Sequence, residues 1–67
     1  MIKMRIIIET PFKTIQSIQL PDKREDVINN FQKEFEKMVY LTVRTLEGPV
    51  ILPRELLNNS IIRFVED

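Results

Sequence analysis

Apolar and polar positions alternate from the start of the chain: Met4, Ile6 and Ile8 fall on one side of an extended segment, and Lys3, Arg5, Ile7 and Glu9 on the other. A period of two over residues 2–9 predicts a strand with one face buried. Thr10-Pro11-Phe12-Lys13 reads as a turn in which the fixed φ of proline suits the second position. Phe12, at its tip, is expected to fold back over the core. A second strand is expected over about 14–20, with Ile18 and Leu20 on one face. Ile15 is out of phase with them, which calls for a bulge or a late start.

The period then changes. Pro21 closes the strand, Asp22 is placed to cap a helix, and Glu25 stands where a capping-box acid belongs. At about 100° per residue, Val27, Ile28, Phe31, Phe35 and Met38 fall within one arc of roughly 100°, and Asn29, Gln32, Lys33, Glu36 and Lys37 lie outside it. The spacing predicts a helix over 23–38 that lays one apolar stripe on a sheet, with Phe31 and Phe35 as core residues. Alternation returns at 39–46, where Val39, Leu41 and Val43 interleave with Tyr40, Thr42 and Arg44. The turn Glu47-Gly48-Pro49, holding the only glycine, leads into a short strand at 50–52. Pro53 suits a first helical position, residues 54–58 make one helical turn, and Asn58-Asn59 can end it in left-handed geometry. Residues 61–66 form the last strand, with Ile62 and Phe64 on the core side.

The elements give a single α+β domain over residues 1–67: strand, strand, one long helix packed on one face, strand, short strand, short helical turn, strand. A helix of this length spans about 24 Å, enough to return the chain across the sheet for a parallel third strand, so the sheet is expected to be mixed. This order resembles the β-grasp, or ubiquitin-like, architecture, including the single turn before the final strand. The resemblance lies in element order and covers most of the chain. The sequence ends Phe64-Val65-Glu66-Asp67, without the di-glycine that ubiquitin-like modifiers use for conjugation.

Composition narrows the chemistry. Sixty-seven residues make a thin core, because a chain of this size buries only about 60% of its unfolded surface. Cysteine and histidine are both absent, so disulfides, thiolate sites and the usual nucleophile–base pairs are excluded. One glycine cannot build a phosphate-binding loop or dinucleotide fingerprint. No catalytic residue, cofactor or metal site is therefore expected, and the chain is not read as an enzyme. Asp22, Glu25 and Asp26 are the densest acidic group, and their place in a first helical turn assigns them to the helix dipole in preference to a cation. Ten basic and ten acidic residues cancel, so no overall attraction to nucleic acid or to an acidic membrane is built in. The longest unbroken apolar run near the start, Ile6-Ile7-Ile8, is far below the ~18 residues of a membrane span. A cytoplasmic protein is expected. Ten isoleucines and no alanine fit β structure, and equally the codon bias of a low-GC bacterium or its phage.

The sheet face turned away from the helix is the remaining candidate. It is expected to carry Lys3, Arg5, Ile7 and Glu9, then Tyr40, Thr42 and Arg44, then Ile61, Arg63 and Val65. Three readings of it stand: a solvated surface; an apolar patch of Ile7, Tyr40, Ile61 and Val65 bordered by Arg5, Arg44 and Arg63, binding a protein partner or a second copy as a homodimer; or a single-stranded nucleic-acid surface in which Lys3, Arg5, Arg44 and Arg63 hold phosphates and Tyr40 stacks on a base. The expected function is the second, a small non-catalytic interaction module, with nucleic-acid binding as the alternative.

Overall fold

The computed structural model describes residues 3–67, so residue 2 of the first predicted strand lies outside the described residues. The chain folds as β1 (Met4–Glu9), β2 (Thr14–Gln16), α1 (Arg24–Phe35), β3 (Tyr40–Thr45), β4 (Gly48–Pro53), α2 (Arg54–Asn58) and β5 (Ile61–Glu66). The α+β class and the order of elements are those read from the sequence. The sheet is not mixed. β2, β1 and β5 form a three-stranded sheet with β1 in the centre, β3 and β4 form a separate two-stranded ribbon, and every strand pair among the described residues is antiparallel. Helix length alone permitted a parallel third strand. Instead the chain leaving α1 enters β3, which pairs with its own hairpin partner, while β5 takes the place beside β1. The likeness to the β-grasp is one of element order alone.

The join between the two sheets is local and legible. Three steps along β1, from Ile7 to Met4, are matched by four along the other chain, from Gln16 to Leu20. One extra residue is therefore inserted after β2, the bulge that the phase of Ile15 called for. Ser17 holds it. Its N–H donates to the Ile6 carbonyl (2.9 Å), its buried hydroxyl accepts from the Ile6 N–H (2.8 Å), and the same hydroxyl donates to the Ile18 carbonyl (2.9 Å). The displaced Ile18 N–H turns outward and donates to the Arg44 carbonyl of β3 (2.8 Å), so one backbone bond ties the ribbon to the larger sheet.

Met4 and Ile8 are fully buried, and Ile8, Ile15, Val43, Leu52 and Leu57 form the core cluster. Ile6, Leu41 and Ile62 pack against that cluster, as the alternation predicted. Helix α1 lies on the same side: the Phe31 ring meets Phe64 edge-on at 5.5 Å and stacks on Phe35 at 5.5 Å. None of its residues is fully buried, so the helix covers the sheet rather than sinking into it.

The ends of α1 differ from expectation. The helix starts at Arg24, the N-cap position is Lys23, and no side chain caps it; Asp22 lies one residue too early. Glu25 and Asp26 occupy the first turn, where they favour the positive end of the dipole. At the other end Arg54 supplies the cap. Its guanidinium sits 4.1 Å from the Phe35 ring centroid and donates to the carbonyl of Phe35, the last residue of α1, which also accepts the Met38 N–H at 3.2 Å, and to the carbonyl of Met38 in the segment that follows. Position 54 opens α2, so this one side chain fastens the long helix to the segment that follows the ribbon.

The β3–β4 turn also sits one residue earlier than expected. Leu46 and Glu47 make the turn and neither has a positive φ; Gly48 takes φ +117° as the first residue of β4, directly opposite Thr45, where the left-handed backbone that closes the two-residue loop favours glycine. β4 is accordingly six residues long, Gly48–Pro53. Asn59 has φ −108°, so α2 ends without the left-handed residue predicted for it. No helix among the described residues is long and apolar enough to cross a membrane.

Candidate interaction surface

The register separates the residues that alternation had grouped. On the outer face of the three-stranded sheet Arg5 stands opposite Val65, Ile7 opposite Arg63 and Gln16, and Glu9 opposite Ile61 and Thr14. Ile7 is thus surrounded in the plane of the sheet: Arg63 and Gln16 lie to either side, and Arg5 and Glu9 lie two residues away along its own strand. These long side chains are tied to one another. Arg63 pairs diagonally with Glu9. Arg5 donates through Nε to both carboxylate oxygens of Asp67 (2.8 and 3.0 Å) and through a terminal nitrogen to the Gln16 side-chain oxygen (2.8 Å). Ringed by these chains, whose aliphatic stems are long enough to shield it, the isoleucine is only 9% exposed although it points away from the helix. Val65 is partly covered, and Ile61 is left exposed at the start of β5.

Tyr40 and Arg44 belong to the other sheet. On the outer face of the ribbon Tyr40 stands opposite Pro53, Thr42 opposite Ile51 and Arg44 opposite Pro49. A two-stranded ribbon gives each residue one lateral neighbour instead of two; Arg44, opposite Pro49, is the one long polar chain in these three pairs, and Tyr40 and Ile51 are flanked laterally by Pro53 and Thr42. Tyr40 is 60% exposed and Ile51 65% exposed. Pro53, the cross-strand partner of Tyr40, also lines a shallow concavity with Pro11, Phe12 and Leu56, and with Glu55 and Asn59 as its polar members. Phe12 does not fold back over the core; it is 86% exposed. The Thr10 hydroxyl accepts from the N–H groups of Phe12 (3.2 Å) and Lys13 (2.9 Å), and these bonds close the turn with Phe12 at its tip. A largely apolar strip, edged by Glu55 and Asn59, therefore runs from Phe12 over Pro53 and Tyr40 to Ile51.

Of the seven residues expected to form one binding face, the structure brings Arg5, Ile7, Ile61, Arg63 and Val65 together on the larger sheet and places Tyr40 and Arg44 on the ribbon. The cationic set does not converge either: Arg5 and Arg63 face carboxylates of their own sheet, Arg44 lies on the ribbon, and Lys3 is exposed just before β1. Sequence reasoning missed Ile51, Pro49 and Pro53. The available signal was the alternation Pro49-Ile51-Pro53, which puts three apolar residues on one face of a segment whose prolines suit an edge strand. Among the described residues no group of acidic side chains is arranged to hold a metal ion.

No protein-family model, curated protein or solved structure matches the chain. The reading of its function therefore rests on this geometry.

Proposed function

We propose that the chain is a small non-catalytic interaction module that associates with a second copy of itself through the outer face of the β3–β4 ribbon. The observation that carries this reading is the strip of exposed apolar side chains, Tyr40, Ile51 and the intervening Pro53, continuing to Phe12. Contiguous apolar surface of this kind on a small domain marks a protein-binding face, and an aromatic residue beside prolines is a rigid anchor that loses little entropy on docking.

Two features favour a second copy as the occupant. The core is thin and α1 is nowhere fully buried, so covering the ribbon would add apolar burial that the monomer lacks. The formal charge is zero, so two copies approach without net repulsion. Sedimentation equilibrium from micromolar to millimolar concentration tests the reading. Reversible dimerisation that is lost in Ile51→Asp, with unchanged far-UV circular dichroism, is the expected result. A chain that stays monomeric throughout would leave the strip to a different protein and sink the homodimer. Tight, salt-sensitive binding to a mixed oligonucleotide would favour the nucleic-acid alternative instead.

A further inference from the structure

We propose that the groove beside β2 is a docking site for a separate peptide segment in extended conformation, recognised chiefly through its main chain. The groove, of about 790 Å³, runs between residues 13–19 and the tip of the β3–β4 hairpin. It is distinct from the apolar strip, since neither Tyr40 nor Ile51 lines it.

Hydrogen-bond parity shows what β2 offers there. The Thr10 N–H donates to the Lys13 carbonyl (3.0 Å) and the Ser17 N–H donates to the Ile6 carbonyl (2.9 Å). Positions 13, 15 and 17 thus turn their backbone groups toward β1. Because bonding alternates along an antiparallel pair, Thr14 and Gln16 turn theirs the opposite way, into the groove. Ile18 would continue that row, and its N–H is the one that reaches Arg44. The groove is therefore closed at one end by a β-type bond and open at the other, the shape left when two strands meet and splay.

Two of the other outer strands carry a device that blunts part of their edge. β4 carries Pro49 and Pro53, which have no N–H to offer. On β5, where the Asp67 N–H bonds to the Lys3 carbonyl, the even positions turn outward, and the Phe64 carbonyl is taken by Arg24 Nε at 2.8 Å. No such device stands at Thr14 or Gln16. The far wall carries Leu46, 95% exposed at the hairpin tip, and Val50. Side chains on one face of an added strand would rest on these. Arg5 and Asp67 at the margin already pair with each other, which leaves Lys13 and Glu47, one charge of each sign, so the occupant is selected by extended shape and backbone and not by charge. The row from Lys13 to Ser17 is roughly 17 Å long, the span of a five-residue strand. Strand addition to an open edge is a general mode of peptide recognition.

The test is a titration of the isotope-labelled full chain with a blocked hexapeptide of alternating valine and threonine, followed by amide NMR. Binding should shift the Thr14 and Gln16 amides and slow their exchange with solvent. Two versions of the peptide, N-methylated on one or the other set of alternate residues, separate main-chain pairing from adhesion: one should bind like the parent and the other should lose affinity. Thr14→Pro removes an outward N–H without touching the bonds to β1, and should weaken binding by about fivefold to tenfold, the worth of one hydrogen bond. Equal binding by both methylated peptides, or shifts confined to Tyr40 and Ile51, would overturn the proposal while leaving the ribbon reading intact. Exchange at Thr14 and Gln16 that slows with protein concentration alone would give the edge to a second copy and overturn it as well.

Discussion

The two sheets of this molecule carry isoleucines on their outer faces in the same alternating pattern, yet Ile7 is covered and Ile51 is bare. The difference is lateral. Ile7 sits on a central strand, between Arg63 and Gln16, with Arg5 and Glu9 above and below it. Ile51 sits on an edge strand with Thr42 as its single cross-strand neighbour and a proline on either side along the chain. Outward alternation therefore does not decide exposure; long neighbours on both sides, which only the central strand has, do. The centre of one face, around Ile7, is closed by its own ion pairs and leaves only Ile61 bare at the start of β5, whereas the ribbon exposes Tyr40 and Ile51 side by side.

The largest expected contrast between these regions is energetic. Ile8→Ala, in the middle of the core, should destabilise the chain by about 2–5 kcal/mol through lost burial and the cavity left behind, whereas Ile51→Ala in the monomer should stay within about 0.5 kcal/mol. Urea midpoints of the two variants, taken at a concentration too low for association, check the difference. Comparable losses would mean that the ribbon face is already covered within one chain.

The joint between the sheets comes next. Ser17→Ala removes the hydroxyl that accepts from the Ile6 N–H and leaves that group without its partner, a loss of about 1–3 kcal/mol. Faster amide exchange across the β3–β4 ribbon in this variant would show that the bulge holds the two sheets together; exchange that quickens only in β1 would confine its role to one sheet. Arg54→Ala should cost about 1–2 kcal/mol, since it removes both the cap on α1 and the contact with the Phe35 ring. Arg54→Lys should recover part of the charge effect but not the two-carbonyl geometry, which thermal melting of the pair can resolve.

Much of this was legible in the sequence, and the omissions have physical causes. Period-two alternation located β1, β3 and β5, and the phase slip of Ile15 located the bulge, because burial on one face leaves a direct trace in the residue pattern. The pairing of strands left none. Helix length allowed a parallel return, and only the hairpin preference of the segment after α1 and the space beside β1 decided otherwise. Asp22 looked like a cap on spacing alone, but the helix begins at Arg24, too far along for its side chain to cap. Arg54 could not be recognised, because its partners at Phe35 and Met38 become neighbours only after folding. The candidate face failed for the same reason: Ile7 and Tyr40 share a phase, and no local pattern distinguishes a central strand from a ribbon.

The smallest effect concerns the covered face itself. Arg63→Ala or Glu9→Gln should change stability by only about 0–1 kcal/mol, less still in high salt, because the pair is solvent-exposed. The sharper readout is exposure. Arg63→Ala should uncover Ile7 and raise the binding of a hydrophobic dye. If dye binding is unchanged, the isoleucine is shielded by something other than that side chain.

The central claim is that the ribbon, and not the three-stranded sheet, is the face that meets a partner copy. A dilution series of the intact chain followed by amide NMR tests it most directly. Concentration-dependent shifts are expected at Tyr40, Thr42 and Ile51, with Arg5, Ile7 and Arg63 unchanged. Shifts at Arg5, Ile7 and Arg63 with a silent ribbon, or no concentration dependence at any residue, would contradict it.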